Sequence, residues 1–293
     1  MTRVSPKVLA LLGALTLVWG TNWPLFRIAL DELPVWTFRT IVLATALVVL
    51  APILLLRGER FAVPQGKWPA LALAASMNIG VWNIATSLAV LYIPSGHASV
   101  LAYTMPLWVA LLGFVAFGQR LTGRLLAAIL IGAAAVVALM APNFRDYAQA
   151  PWGLFWGLLA GFCWAVGTFV VKRTSWPGMG LSLTFWQVAI CLPPIALGAL
   201  LIDGLPTRWP ATPALVATLY TGAIPMALGT ATWFALVKLL PAQVAALSSI
   251  AIPIVAIVSG ILILHEPLSW LQTVAIASTV ISLWLALVPG RQR

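Results

Sequence analysis

Charge is what this sequence has least of. Only 8% of its 293 residues are charged, and six of them are acidic. Soluble domains average about 25% charged and about 45–50% apolar residues, whereas this chain is 62% hydrophobic with a mean hydropathy of +1.05. That excludes a soluble globular domain. Cysteine is nearly absent too. Cys163 and Cys191 both fall inside apolar runs, so they form no disulfide framework and no metal-ligand spacing. With two histidines, no HExxH, no paired aspartates and no converging Ser/His/Asp, the chain is not expected to be an enzyme or to hold a metal or cofactor. The net charge of +10 comes without a basic cluster long enough to argue for nucleic acid.

What is present is a series of apolar runs of bilayer length. They lie at about 7–30, 34–56, 68–91, 95–118, 123–140, 152–173, 181–201, 212–238, 241–264 and 269–288, joined by short connections. The first resembles a signal peptide but is too long, carries Trp19, Asn22 and Trp23, and lacks a small-residue cleavage site, so it is read as a span. The expected fold is an all-α integral membrane protein of ten transmembrane helices. With the N-terminus inside, twelve basic residues collect on one side: Arg3, Lys7, Arg57, Arg60, Lys67, Arg120, Arg124, Lys172, Arg173, Lys238, Arg291 and Arg293. Four remain on the other, namely Arg27, Arg39, Arg145 and Arg208. This asymmetry predicts a multi-pass protein of the cell inner membrane with both termini cytoplasmic. Tryptophans near run ends, such as Trp36, Trp68, Trp152 and Trp209, read as interface anchors. Trp19, Trp82, Trp108 and Trp164 lie mid-span instead.

The chain also aligns with itself. At an offset of 147, Pro94, Pro106, Gly113 and Leu121 fall on Pro241, Pro253, Gly260 and Leu268, and Thr37-Phe38 on Thr184-Phe185. At 145, Trp19 falls on Trp164 and Arg27 on Lys172. Each half, 1–146 and 147–293, holds five spans. Five is odd, so the second half enters the membrane inverted, an architecture of secondary transporters with a central cavity between repeats.

Ten spans, this inverted repeat, an early Trp in spans 1 and 6, and Pro106 and Pro253 in spans 4 and 9 resemble the EamA-type branch of the drug/metabolite transporter superfamily. Within it the likeness is to aromatic amino-acid exporters of the YddG type. HEPLS (265–269) matches the family's acidic residue after span 9, whereas the first half has Gln119-Arg120 at that point. The resemblance implies that spans 1, 3, 4, 6, 8 and 9 line a central cavity, spans 2 and 7 form lateral walls, and 5 and 10 form an outer scaffold.

Candidate substrate-binding residues follow from polar and aromatic side chains at mid-span. In LVWGTNW (17–23), Trp19 and Asn22 share a helix face, and an asparagine in hydrocarbon is costly unless it faces a wet cavity or a neighbouring helix. Trp164 and Thr168 are their counterparts in span 6. In MNIGVWNIATS (77–87), Asn78 and Trp82 share a face and Asn83 points elsewhere. Ser99 and Tyr103 share a face before Pro106, whose lost N–H frees the Ala102 carbonyl. Ser248 and Ser249 precede Pro253 in the same way, although such serines often back-bond within their own helix. Pro106 and Pro253 are read as helix breaks with a gating role, and GTAT (229–232) as close helix packing. Arg27 and Arg39 are expected to snorkel or to pair with Asp31 or Glu32.

No Asp or Glu falls within the ten runs, which argues against a bound coupling ion. The expected function is export of small metabolites, above all aromatic or hydrophobic amino acids, by alternating access without an obvious coupling ion. The expected partners are such a small-molecule substrate and the lipid bilayer, with a monomer sufficient. A carrier for another solute (drug-like cation, purine or sugar derivative) and a non-transporting membrane scaffold are the alternatives.

Overall fold

In the computed structural model, residues 6–118, 123–140, 150–205, 208–237, 242–268 and 270–287 are described. The helices run α1 Pro6–Leu30, α2 Val35–Leu56, α3 Trp68–Tyr92, α4 95–117, α5 Gly123–Met140, α6 Ala150–Arg173, α7 Leu181–Asp203, α8 212–237, α9 Ala242–Leu264 and α10 Trp270–Leu287. The described residues contain no strand. Six of these helices are long and apolar enough to cross a membrane: α2, α3, α4, α6, α7 and α8. In hydrocarbon every backbone group must be satisfied internally, which is why a chain this apolar folds as helices. Hydroxyls inside the helices obey the same rule. Thr16, Thr40 and Thr218 each donate to the carbonyl four residues back.

The helices pack in a regular set of pairs. α1 lies along α9 and α8, while α6 lies along α4 and α3. α2 packs on α7 and α8, α7 packs on α3, and α5 and α10 pack on each other. Small residues allow the close approaches. A Cβ on Gly20 would overlap Val255 and sit 3.1 Å from the Ile252 carbonyl, so this glycine lets α1 touch α9. Gly157 and Gly161 do the same for α6 against Leu101 and Ala102. Leu56, Val48, Leu201 and Leu262 face outward, as lipid-facing residues should.

Four of the described helices depart from regular α geometry. α3 widens to a π-helix over Ser76–Val81, and α8 over Gly222–Gly229 around Pro225. α7 ends in another at Ala199–Asp203. α4 is interrupted: Ser95–Ala102 stops at a turn through Tyr103 and Thr104, and Met105–Phe117 resumes with Pro106 in its first turn. Pro106 thus stands at a break. Pro253 does not, and this corrects the sequence reading, because α9 runs unbroken through it. A proline removes a single backbone bond, and Ile252 and Ala256 on either side are buried, which holds the helix in register.

Three of the six acidic residues cap helices that are not their own. The Glu59 carboxylate accepts the Leu181 N–H at the start of α7 (2.8 Å). Asp203, at the end of α7, accepts the Thr37 N–H in the first turn of α2 (2.7 Å) and its hydroxyl (2.9 Å). Glu266 accepts from Ser95 (2.7 Å) and Gly96 (3.2 Å) at the start of α4. A negative group belongs at a helix N-terminus, where free N–H groups and the positive dipole end lie.

Candidate functional site

A cavity opens midway along α1, α3, α4, α6 and α8, with α2 contributing one wall. The space open to water centres is ≈ 80 Å³, room for several waters at roughly 10–15 Å³ each. Its walls are mainly apolar and rich in aromatic rings. Trp82 and Trp164 lie 4.7 Å apart between ring centroids, Trp82 meets Tyr103 edge-on at 6.4 Å, and Trp23 meets the same tyrosine at 6.4 Å. Trp19 and Trp233 approach to 5.6 Å. Trp23 and Phe26 continue the α1 face that Trp19 begins.

Polar groups are few, and most are fixed by neighbouring helices. The Trp19 Nε1 donates to the Pro225 carbonyl in the π turn of α8 (3.1 Å). The Asn22 Oδ1 accepts from the Thr221 hydroxyl (2.8 Å), which ties α1 to α8. The Asn78 Nδ2 donates to the Gln187 Oε1 on α7 (3.2 Å), while its Oδ1 has no hydrogen-bond partner among the described residues and rests against Gly167. Asn83 donates to the Ile79 carbonyl (2.8 Å).

The candidate residues Trp19, Asn22, Asn78, Trp82, Tyr103 and Trp164 come together in this wall. Ser99 and Thr168 are not in it. Ser99 is fully buried and its hydroxyl donates to the Gly96 carbonyl (2.6 Å), so its polarity is spent within its own helix. Thr168 is half-buried on α6, outside the lining. The side chains of Ser248 and Ser249 lie outside the described residues. Asn83, expected to point elsewhere, lines the wall beside Asn78, because the wide π turn at 76–81 rotates each residue less than an α turn does. Thr230, read as packing, lines it as well.

Arg39 is the largest departure from the sequence reading. Instead of snorkelling or pairing with Asp31 or Glu32, it is 1% exposed and lines the cavity. Its Nε donates to the Ser87 hydroxyl (2.6 Å) and its Nη2 to the Thr86 hydroxyl (3.1 Å). The guanidinium carbon sits 4.1 Å from the Phe26 ring centre and 4.7 Å from that of Phe38. The two ion pairs among the described residues lie elsewhere: Arg27 with Asp31 (3.0 Å) and Arg208 with Glu32 (3.5 Å). The available signal was an arginine within an apolar run, which is a site marker in a membrane protein by default. Trp23 and Phe26 were readable as the helical continuation of Trp19, whereas Thr221, Pro225 and Met226 needed the π turn of α8 to bring them in.

A family model for EamA-like transporters matches residues 6–141 and again 151–288. The chain belongs to the EamA-like transporter family. It is accordingly a multi-pass membrane transporter of the drug/metabolite superfamily, in a family of transporters and not of enzymes. EamA-like relatives include an uncharacterized transporter, YvbV, of Bacillus subtilis (strain 168), 28% identical over 268 residues that cover 88% of this chain and 84% of the relative. A probable amino-acid metabolite efflux pump of Escherichia coli (strain K12) is 25% identical, covering 90% and 89%. A probable terminal-alkyne amino-acid exporter of Streptantibioticus cattleyicolor is 28% identical, covering 90% and 87%. A solved crystal structure superposes with a TM-score of 0.67 over 96% of this chain and 97% of that one, at 21% identity, a likeness of fold alone.

Proposed function

We propose that this EamA-like transporter exports small hydrophobic metabolites, above all aromatic amino acids, across the inner membrane by alternating access. The observation that carries the reading is the cavity: aromatic side chains from α1, α3, α4, α6 and α8, amide and hydroxyl groups among them, and no carboxylate among the described lining residues. An aromatic side chain would stack among Trp19, Trp82 and Trp164, and the polar end would meet the asparagines of α1 and α3. A cationic drug would find no countercharge and would face Arg39, which disfavours that rival. Because no carboxylate among the described lining residues offers a site for a proton or Na⁺, the proposed movement is down the solute's own gradient. The similarity to a probable amino-acid metabolite efflux pump and to a probable terminal-alkyne amino-acid exporter supports the substrate class.

The architecture proposed with it is ten spans in two inverted repeats, 1–146 and 147–293, with both termini cytoplasmic. Support comes from the packing, since exchanging α1–α5 for α6–α10 maps α1 on α9 to α6 on α4, and α2 on α8 to α7 on α3. The π turns obey the same exchange, because adding 147 to 76–81 gives 223–228, inside the second one. Glu59 and Asp203 cap each other's helices in a reciprocal pair.

The test is uptake of labelled phenylalanine into proteoliposomes of the purified chain, comparing wild type with Trp19→Ala and Asn78→Ala, with and without an imposed proton gradient. Saturable uptake that needs no gradient and is lost in both variants is expected. Uptake no higher than in empty vesicles would sink the aromatic amino-acid assignment.

A further inference from the structure

We propose that Arg39 is the anchor for a carboxylate on the transported solute, and so restricts this carrier to solutes that bear one. The inference deepens the transporter reading and rests on it. A guanidinium buried in a membrane-spanning bundle carries a large desolvation cost unless a negative group answers it. Here nothing negative does among the described residues. Both hydrogen-bond acceptors of Arg39 are neutral hydroxyls, and each passes its own proton back to α3: Ser87 to the Asn83 carbonyl (3.0 Å) and Thr86 to that of Trp82 (2.9 Å). The Phe26 and Phe38 rings stabilise the cation through their faces and leave its charge in place.

The donor inventory points the same way. A guanidinium has five N–H donors in a flat fork. Nε and Nη2 are used, while Nη1 makes no hydrogen bond among the described residues, and the side chain lines the cavity. The protein therefore holds the fork rigidly by two donors, against two rings, with an edge left over. A carboxylate is the planar group that matches such an edge. Arg39 stands beside Phe26 and within reach of the same space as Trp23 and Tyr103, so one solute can place a carboxylate on the cation and an apolar group on the rings. Three acidic residues of the described chain are committed elsewhere: Asp31 to Arg27, Glu32 to Arg208 and Asp203 to the start of α2.

A purely structural role, stapling α2 to α3 through Ser87 and Thr86, would make loss of Arg39 weaken binding of every solute alike. The anchor role makes it selective. The test is calorimetric titration of the purified full chain with three probes: L-phenylalanine, 3-phenylpropionate (no ammonium) and 2-phenylethylamine (no carboxylate). Wild type is expected to bind the first two and to bind the amine at least tenfold more weakly. Arg39→Gln should weaken both carboxylate probes by about 10–100-fold, the range of a charge-assisted hydrogen bond, and leave the amine unchanged. Arg39→Lys should retain intermediate affinity, keeping the charge but losing the fork. The wild-type comparison stands even where Arg39→Gln fails to fold. Equal binding of amine and carboxylate by wild type, or a uniform loss in Arg39→Gln, overturns the anchor and leaves an amino-acid carrier standing. Binding of 3-phenylpropionate without phenylalanine supports the anchor and overturns the amino-acid reading. Binding of none of the three overturns both.

Discussion

Replacing Glu266 by glutamine removes one negative charge from the start of α4 and changes its size hardly at all. Pro94 occupies the N-cap position and offers no side-chain acceptor, so the first N–H groups of α4 depend on Glu266 from the α9–α10 connection. Hydrogen bonds to a charged group contribute about 1.5–3 kcal/mol, and the dipole interaction adds about 0.3–1 kcal/mol. Glutamine keeps one acceptor oxygen for the shorter bond to Ser95 and loses the bond to Gly96 along with the charge. Because Glu266 is half-buried, a net loss of about 1–3 kcal/mol is expected. By the scaling of soluble domains that corresponds to a melting temperature lower by about 3–10 °C.

The chain carries its own reporter for this measurement. Its two cysteines, Cys163 and Cys191, are both buried, so a thiol-reactive fluorophore in detergent reports unfolding without any introduced cysteine. Gly260→Ala supplies an independent perturbation, since a Cβ there would displace the Glu266 carboxylate without altering charge. It should lower the melting temperature in the same direction. Asp31→Asn is the control. Its ion pair with Arg27 is about half exposed, and exposed pairs contribute roughly 0–1 kcal/mol. A Glu266→Gln protein that melts with wild type, or no earlier than Asp31→Asn, would refute the capping argument.

Gly20→Val should force α1 off α9, because its side chain overlaps Val255, and overpacking of this kind costs about 1–3 kcal/mol; the same thermal assay checks it, and an unchanged melting curve contradicts the packing. Gly167→Ala should push the Asn78 carboxamide from its bond with Gln187 and reduce phenylalanine uptake severalfold, with uptake at the wild-type rate as the contrary result. Ser99→Ala should leave uptake within about twofold of wild type, since its hydroxyl is occupied by the Gly96 carbonyl. A collapse of uptake in that variant would place Ser99 back among the binding residues.

The legible part of the site was the part written in a single helix. Trp19, Asn22, Asn78 and Trp82 announced themselves because a polar or indole group at mid-span in a greasy run must answer to something, and helical spacing says which of them share a face. Ser99 looked the same by this criterion and was satisfied locally, because a serine can return its hydrogen bond to a backbone carbonyl three residues away. Pro253 looked like Pro106, and the outcome differed because α9 is buried against α1 on both sides of the proline while α4 turns at Tyr103 and Thr104. Spacing along one strand of sequence cannot tell those cases apart.

Composition alone required a membrane protein made of helices: too few charges to cover a soluble surface, and too much apolar length for anything but spans whose backbones satisfy themselves. The tertiary structure decided where the charges went. Arg39 sits one turn into α2 and read as a residue able to reach water. The packing of α1 and α3 around it turned it inward, onto Phe26, Phe38, Thr86 and Ser87. Glu59, Asp203 and Glu266 sit outside the apolar runs or at their ends, yet each closes the end of a helix more than a hundred residues away in the chain. A long polar side chain is free to choose among water, lipid headgroups and neighbouring helices, and only the neighbours that folding brings to it settle the choice.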